Sequence, residues 1–131
     1  MLAATRATFG LLSLATVVTQ ASPQLDPPVG TFCASVPFII KENITVRPDH
    51  TFDYFNDVGV AHVHVACRNE TYKWDGSGSM DISALLANPN DCITKATSGE
   101  PKSVPTLSWD GTNVISKNGY GTLKMAQNKC K

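Results

Sequence analysis

The chain has no apolar run long enough to cross a membrane, no cluster of like charge and no closely paired cysteines. Each absence removes a class of protein. A membrane helix needs about 20 consecutive apolar residues, and the best candidate, Phe9–Val18, is short and interrupted by glycine, serine and threonine. Charged residues make up only 17%, with 11 Lys and Arg against 11 Asp and Glu. Without a basic stripe, a nucleic-acid partner is not expected, nor strong attraction to an anionic membrane. The lack of Cys-x-x-Cys argues against a zinc ribbon or a dithiol redox centre. No glycine-rich phosphate loop or EF-hand calcium loop occurs, and no cofactor is expected.

The start of the chain reads as an address. One positive side chain in Met1–Arg6, the apolar run, and small residues at Thr19 and Ala21 form the three-part pattern of a secretory signal, with cleavage after Ala21. Residues 22–29 (SPQLDPPV) hold three prolines and read as an extended leader. Residues 30–131 then make a single disulfide-bonded β domain, since what remains is enough for one domain and not comfortably for two. The expected location is secreted and extracellular. Cys130-Lys131 at the C-terminus is not a lipidation signal.

Cys33, Cys67, Cys92 and Cys130 are an even set behind a secretion signal, which reads as two disulfides. Four cysteines allow three pairings. Cys67–Cys92 with Cys33–Cys130 is favoured, because the first and last strands of a closed β-structure often lie side by side. Sequons at Asn43 and Asn69 fit glycans on surface turns of a secreted protein.

Strand and turn signals alternate closely after the leader. Ile44–Val46 and Thr51–Phe55 flank the tight turn Arg47-Pro48-Asp49-His50. In Ala61–Cys67 the odd positions are apolar and the even ones carry His62 and His64, a period of two that sends the histidines to the solvent face. Past Cys67 the apolar phase shifts, which a turn at Arg68–Glu70 would explain. A phrase also repeats: TYKWDGS at 71–77 and TLSWDGT at 106–112. Each copy alternates apolar and polar residues and then reaches Asp-Gly, a signal for a two-residue type I′ hairpin. Asp49-His50-Thr51 is a related turn with His in the Gly position, and Asn118-Gly119 marks another hairpin. Ser83–Asn88 reads as a short helix with Ser83 as N-cap, and Thr97–Pro105 as a loop.

The expected fold is therefore all-β: a small antiparallel barrel or sandwich of about eight or nine hairpin-connected strands, one short helix and two disulfides. Phe52, Tyr54, Val63, Val65, Tyr72, Trp74, Ile82, Leu107, Trp109, Leu123 and Met125 are the expected core. Gly30-Thr31-Phe32 is similar in position to the Gly-x-Trp opening of lipocalins, with Phe in place of Trp. Trp74–Ile82 resembles the opening strand pair of avidin-like barrels, but in mid-domain. Neither likeness extends past nine residues, and no family follows from them.

Three functional readings follow from these residues. The first is a non-enzymatic binding module holding a small apolar or amphipathic ligand inside the barrel, or a glycan against Trp74, Trp109, Tyr72 and Tyr54. The second is an extracellular protein-interaction domain, an inhibitor, effector or coat component. It would act through loops such as Ser35–Lys41 or Thr97–Pro105, and exposure of Phe38, Ile39 and Ile40 would favour it. The third is a metal site on His62 and His64, with His50, Asp53 or Asp57 completing it. Gly76-Ser77-Gly78 lacks the strand-to-helix setting of a nucleophile elbow. The carboxylates fall mostly in turns or at solvent-facing positions, so catalysis is not expected.

Overall fold

A computed structural model describes residues 24–130; the expected signal peptide, the first two leader residues and Lys131 lie outside the described residues. Four strands form a meander: β1 (Gly30–Val36), β2 (Ile40–Val46), β3 (Thr51–Val58) and β4 (Val63–Thr71). A two-residue strand β5 (Ser79–Met80) and two short helices, α1 (Ser83–Leu86) and α2 (Cys92–Thr97), come next. The chain closes with β6 (Thr106–Trp109), β7 (Val114–Asn118) and β8 (Gly121–Gln127).

All eight strands are antiparallel in one sheet of order β4-β3-β2-β1-β8-β7-β6-β5, curled into a half-barrel. The all-β fold expected from the sequence is the one formed. The join between its halves is β1 against β8, where Phe32 faces Gln127 and Cys33 faces Ala126. First and last strands thus lie side by side and antiparallel, and the Cys33–Cys130 disulfide closes over their ends. Cys67–Cys92 ties α2 to β4, where Ile93 is fully buried.

The period of two holds on β2, where Ile40, Ile44 and Val46 are buried between outward-facing neighbours. Fully buried Phe32, Phe52 and Tyr54 fill the interior with Val65, Leu107, Val114 and Met125. Trp74, Trp109 and Leu123, expected in the core, are only half-buried against it.

Several local expectations need correction. Among the described residues there are two short α-helices and not one. The unforeseen α2 is started by Asp91, whose carboxylate accepts the Ile93 N–H at 2.9 Å. In α1 the cap position is Ile82, and Asp81, not Ser83, receives the first amide, from Ser83 N at 2.9 Å. Arg68–Glu70 is no turn but a bulge inside β4, where Arg68 and Asn69 together oppose Asp53. Asn69 adopts φ 56° and donates its N–H to Asp53 at 2.9 Å. The extra residue shifts the apolar phase, which is the signal that suggested a turn.

The repeated phrase forms two different turns. The second joins β6 to β7, its Asp110 carboxylate accepting the Thr112 and Asn113 amides at 2.8 and 2.6 Å. Only Gly111 there has positive φ, 96°, so the turn is not type I′, which needs two such residues. The first makes no regular hairpin. Lys73 meets Asp81 in a single bridge, and β5 pairs with β6 instead. Both turns converge on the leader. Leu25 gives its N–H to Gly76 O at 3.0 Å and accepts from Trp74 Nε1 at 3.1 Å, and its side chain reaches Gly78 and Gly111. The repeated phrase is a clasp on the N-terminal segment.

Candidate functional site at the mouth of the half-barrel

Glu42 sits in the apolar phase of β2, between Ile40 and Ile44, and is 1% exposed. Two hydroxyls from different strands converge on its Oε2: Tyr54 on β3 donates one hydrogen bond, and Ser116 on β7 donates another at 2.5 Å. Its other oxygen, Oε1, has no partner. Directly opposite Glu42 in the β2–β3 register lies Asn56, also 1% exposed, with neither side-chain amide atom bonded. Three orphan polar atoms therefore lie on one pair of inward-facing residues. Native interiors bond nearly all such atoms, and exceptions call for an explanation such as a ligand, ion or water.

The electrostatics follow from this burial. Among the described residues, no Lys, Arg or His lies within ion-pair distance of Glu42; the ion pairs formed are Arg47–Asp53 and Arg68–Asp53. Lys41, next in sequence, alternates to the exposed outer face. Desolvation raises the Glu42 carboxyl above the usual range, opposed by the hydroxyls of Ser116 and Tyr54. The Tyr54 phenol is pushed well up, first by its own burial and then by the Glu42 charge.

Glu42 and Ser116 form the base of a cleft of about 210 Å³ between the β1–β2 and β7–β8 hairpins. Val36, Ile39, Tyr120 and Leu123 line its walls, and the first three are exposed at its rim. Pro37-Phe38 occupies the centre of the β1–β2 turn, which Ile39 N closes onto Val36 O at 3.0 Å. Phe38 has φ 66° and is 99% exposed, while Ile40 is buried. Proline followed by positive φ is the type II arrangement, where glycine is the favoured second residue. A large apolar side chain thus stands in solvent at a backbone position that disfavours it.

A second acid is buried elsewhere. Glu70 on β4 lies beside Asp91, the cap of α2, and its Oε2 has no partner. Burial, a hydrogen bond with Asp91 and the Asp91 charge push its carboxyl up to about 7.

The residues singled out from sequence are scattered. Tyr54 and Tyr72 are buried, leaving no ring face for a glycan. The Trp74 indole N–H is taken by Leu25, and Trp109 packs edge-on against Phe32 at 5.4 Å. His62 is not in the strand at all; it ends the helical turn Gly59–Ala61 with φ 54°. His64 does face outward, opposite Asp57. His50 lies against the Tyr72 ring at 5.3 Å, and Asp53 is engaged by Arg47 at 2.5 Å. Among the described residues no three His, Cys, Asp or Glu side chains are grouped to hold a metal ion. Both sequons lie within strands instead of turns, Asn43 half-buried and Asn69 exposed. The carboxylates are expected mostly in turns or on the surface; Glu42, Glu70 and the ion-paired Asp53 are the buried exceptions among the described residues. The signal at Glu42 was legible: in IKENITV the glutamate replaces an aliphatic residue at an inward position.

Compared with known proteins, the chain matches no family model, no curated protein and no solved structure.

Proposed function

We propose that the protein is an extracellular, non-enzymatic binding module that holds a small amphipathic ligand at the mouth of the half-barrel. One observation carries this reading: a buried carboxylate with an unpartnered oxygen lies at the base of an open cleft whose rim is apolar. Apolar walls supply affinity and a few convergent polar groups supply orientation, the usual division of labour in small-molecule sites. The cleft's 210 Å³ falls below the roughly 300–1,000 Å³ typical of drug-sized ligands, so the ligand is small. Two disulfides accord with an oxidising compartment, and no helix among the described residues is long and apolar enough to cross a membrane.

Native mass spectrometry of the oxidised protein from a eukaryotic host tests the reading. The expected spectrum shows one small molecule per chain, lost when Leu123→Trp fills the cleft. A chain that stays bare after incubation with a metabolite extract refutes it.

A second reading draws on Phe38. A fully exposed phenylalanine beside exposed Val36 and Ile39 favours a protein partner docked on the β1–β2 turn. A Phe38→Ser variant that keeps the small ligand but loses partner capture would establish that surface as separate from the cleft.

A further inference from the structure

We infer that the polar end of the ligand is an ammonium group, received by the unpartnered Oε1 of Glu42 at the base of the cleft. The inference rests on the proposed reading of the barrel mouth as the binding site.

The donor and acceptor inventory selects the cation. Oε2 of Glu42 already accepts two hydroxyl hydrogens, from Tyr54 and Ser116. Oε1 accepts none. Asn56, opposite across the β2–β3 pair, leaves one donor and one acceptor unmet, so it favours neither sign of ligand. What the carboxylate itself lacks is a charged donor. An ammonium offers three donors and no acceptor, and it brings the positive charge that this buried carboxylate lacks. A guanidinium suits less well, because its planar fork engages both carboxylate oxygens and Oε2 is occupied. A carboxylate or phosphate would meet a like charge without relief. A neutral alcohol donates once and leaves the charge unbalanced.

The walls decide the rest of the molecule. Val36, Ile39 and Leu123 rise from Glu42 towards solvent, with the Tyr120 ring at the rim. They fit a short aliphatic or aromatic body attached to the amine. Groups facing Glu42 from the neighbouring strands are Ala34 on β1, Tyr54 and Asn56 on β3 and Ser116 on β7. None of these supplies a cation.

Three probes of equal chain length test this: octylammonium, 1-octanol and octanoate. Each is titrated into the oxidised protein by calorimetry, with amide shifts of Ser116, Leu123 and Asn56 followed by NMR. Octylammonium is expected to bind once per chain at least about tenfold more tightly than octanol, the order of one charge-assisted hydrogen bond, with octanoate weakest. Glu42→Gln, which keeps the side chain's shape, should cut octylammonium affinity about tenfold or more and change octanol far less, since the amide oxygen can still accept one hydroxyl. Val36→Lys, at an exposed rim position, should compete through its own ammonium and weaken octylammonium more than octanol, which loses only the apolar wall contact. Equal binding of octanol or octanoate, or indifference to both substitutions, overturns the ammonium assignment while leaving the cleft a binding site. Failure of all three probes to shift the mouth residues overturns both, leaving ordered water as the partner of the orphan atoms.

Discussion

Replacing Glu70 by glutamine should remove a stability loss that the protein suffers as pH rises from 4 to 8. Glu70 is buried beside Asp91, and its carboxyl is raised from 4.5 to about 7, chiefly by burial and then by that neighbour. Below pH 4.5 both folded and unfolded states hold the proton, and the side chain costs nothing. Between 4.5 and 7 the unfolded chain releases the proton while the folded one retains it, so stability falls as pH rises. Above 7 the folded state carries the buried charge and the loss is complete. At 1.36 kcal/mol per unit, the shift sets a ceiling of about 3 kcal/mol, and because Asp91 is partly open to solvent the expected loss is about 1–3 kcal/mol. Urea midpoints of the oxidised protein, taken from pH 4 to 8, measure it. The gap between wild type and Glu70→Gln should be smallest at pH 4 and widen up to pH 8 in favour of the variant. Asp91→Asn keeps an acceptor for the α2 cap and should recover part of the same loss. Glu42 shifts in the same direction, so only the difference between variant and wild type bears on Glu70. Parallel curves across the window would refute the reasoning, as would a wild type that gains stability with pH while the variant does not.

Two further outcomes follow from backbone and covalent structure. Phe38→Gly relieves a left-handed residue worth roughly 1–2 kcal/mol, offset by about 0.5–1 kcal/mol of glycine backbone entropy. No packing is lost, since the side chain is fully exposed; thermal melts should show a variant as stable as wild type or about 1 kcal/mol more so. Of the two disulfides, Cys33–Cys130 closes a loop of 97 residues and Cys67–Cys92 one of 25. Loop-closure entropy gives about 4.7 and 3.5 kcal/mol, so the Cys33→Ser/Cys130→Ser pair should lower stability about 1 kcal/mol more than Cys67→Ser/Cys92→Ser in denaturant titrations.

Strands with strict alternation were legible because burial on one face leaves a period of two in the sequence. His64, Val65 and Cys67 fell on the faces assigned to them, and the pairing of all four cysteines followed from the side-by-side ends of the sheet. Even the unusual turn was readable: His50 holds φ 65°, the left-handed role taken by glycine in its two relatives. Features that depend on a count of two against one were not. The bulge at Arg68-Asn69 looks like a turn, because both shift the phase by one residue. The helix at Cys92–Thr97 is too short for a 3.6-residue period to emerge. Its burial comes from Ile93 packing on β4, a tertiary contact absent from local sequence.

The candidate site was hidden for a different reason. Tyr54 and Ser116 are 62 positions apart and reach Glu42 only because β7 curls across the barrel to face β2. No spacing rule anticipates that meeting. The conspicuous signal, a phrase written twice with tryptophan and aspartate in it, is explained locally. Asp75 and Asp110 receive turn amides, and the paired turns hold Leu25. Folding thus accounts for both aspartates and for the Trp74 indole N–H, while the Tyr72 hydroxyl of the first copy is buried without a partner and lines no cleft described above. Glu42 is the reverse case: a single letter out of phase in an aliphatic strand, which folding alone does not require and which an aliphatic residue would serve more cheaply. The proposed ligand would account for a buried acid that costs stability and still lacks a partner for one oxygen, and the open apolar mouth above it would supply the route.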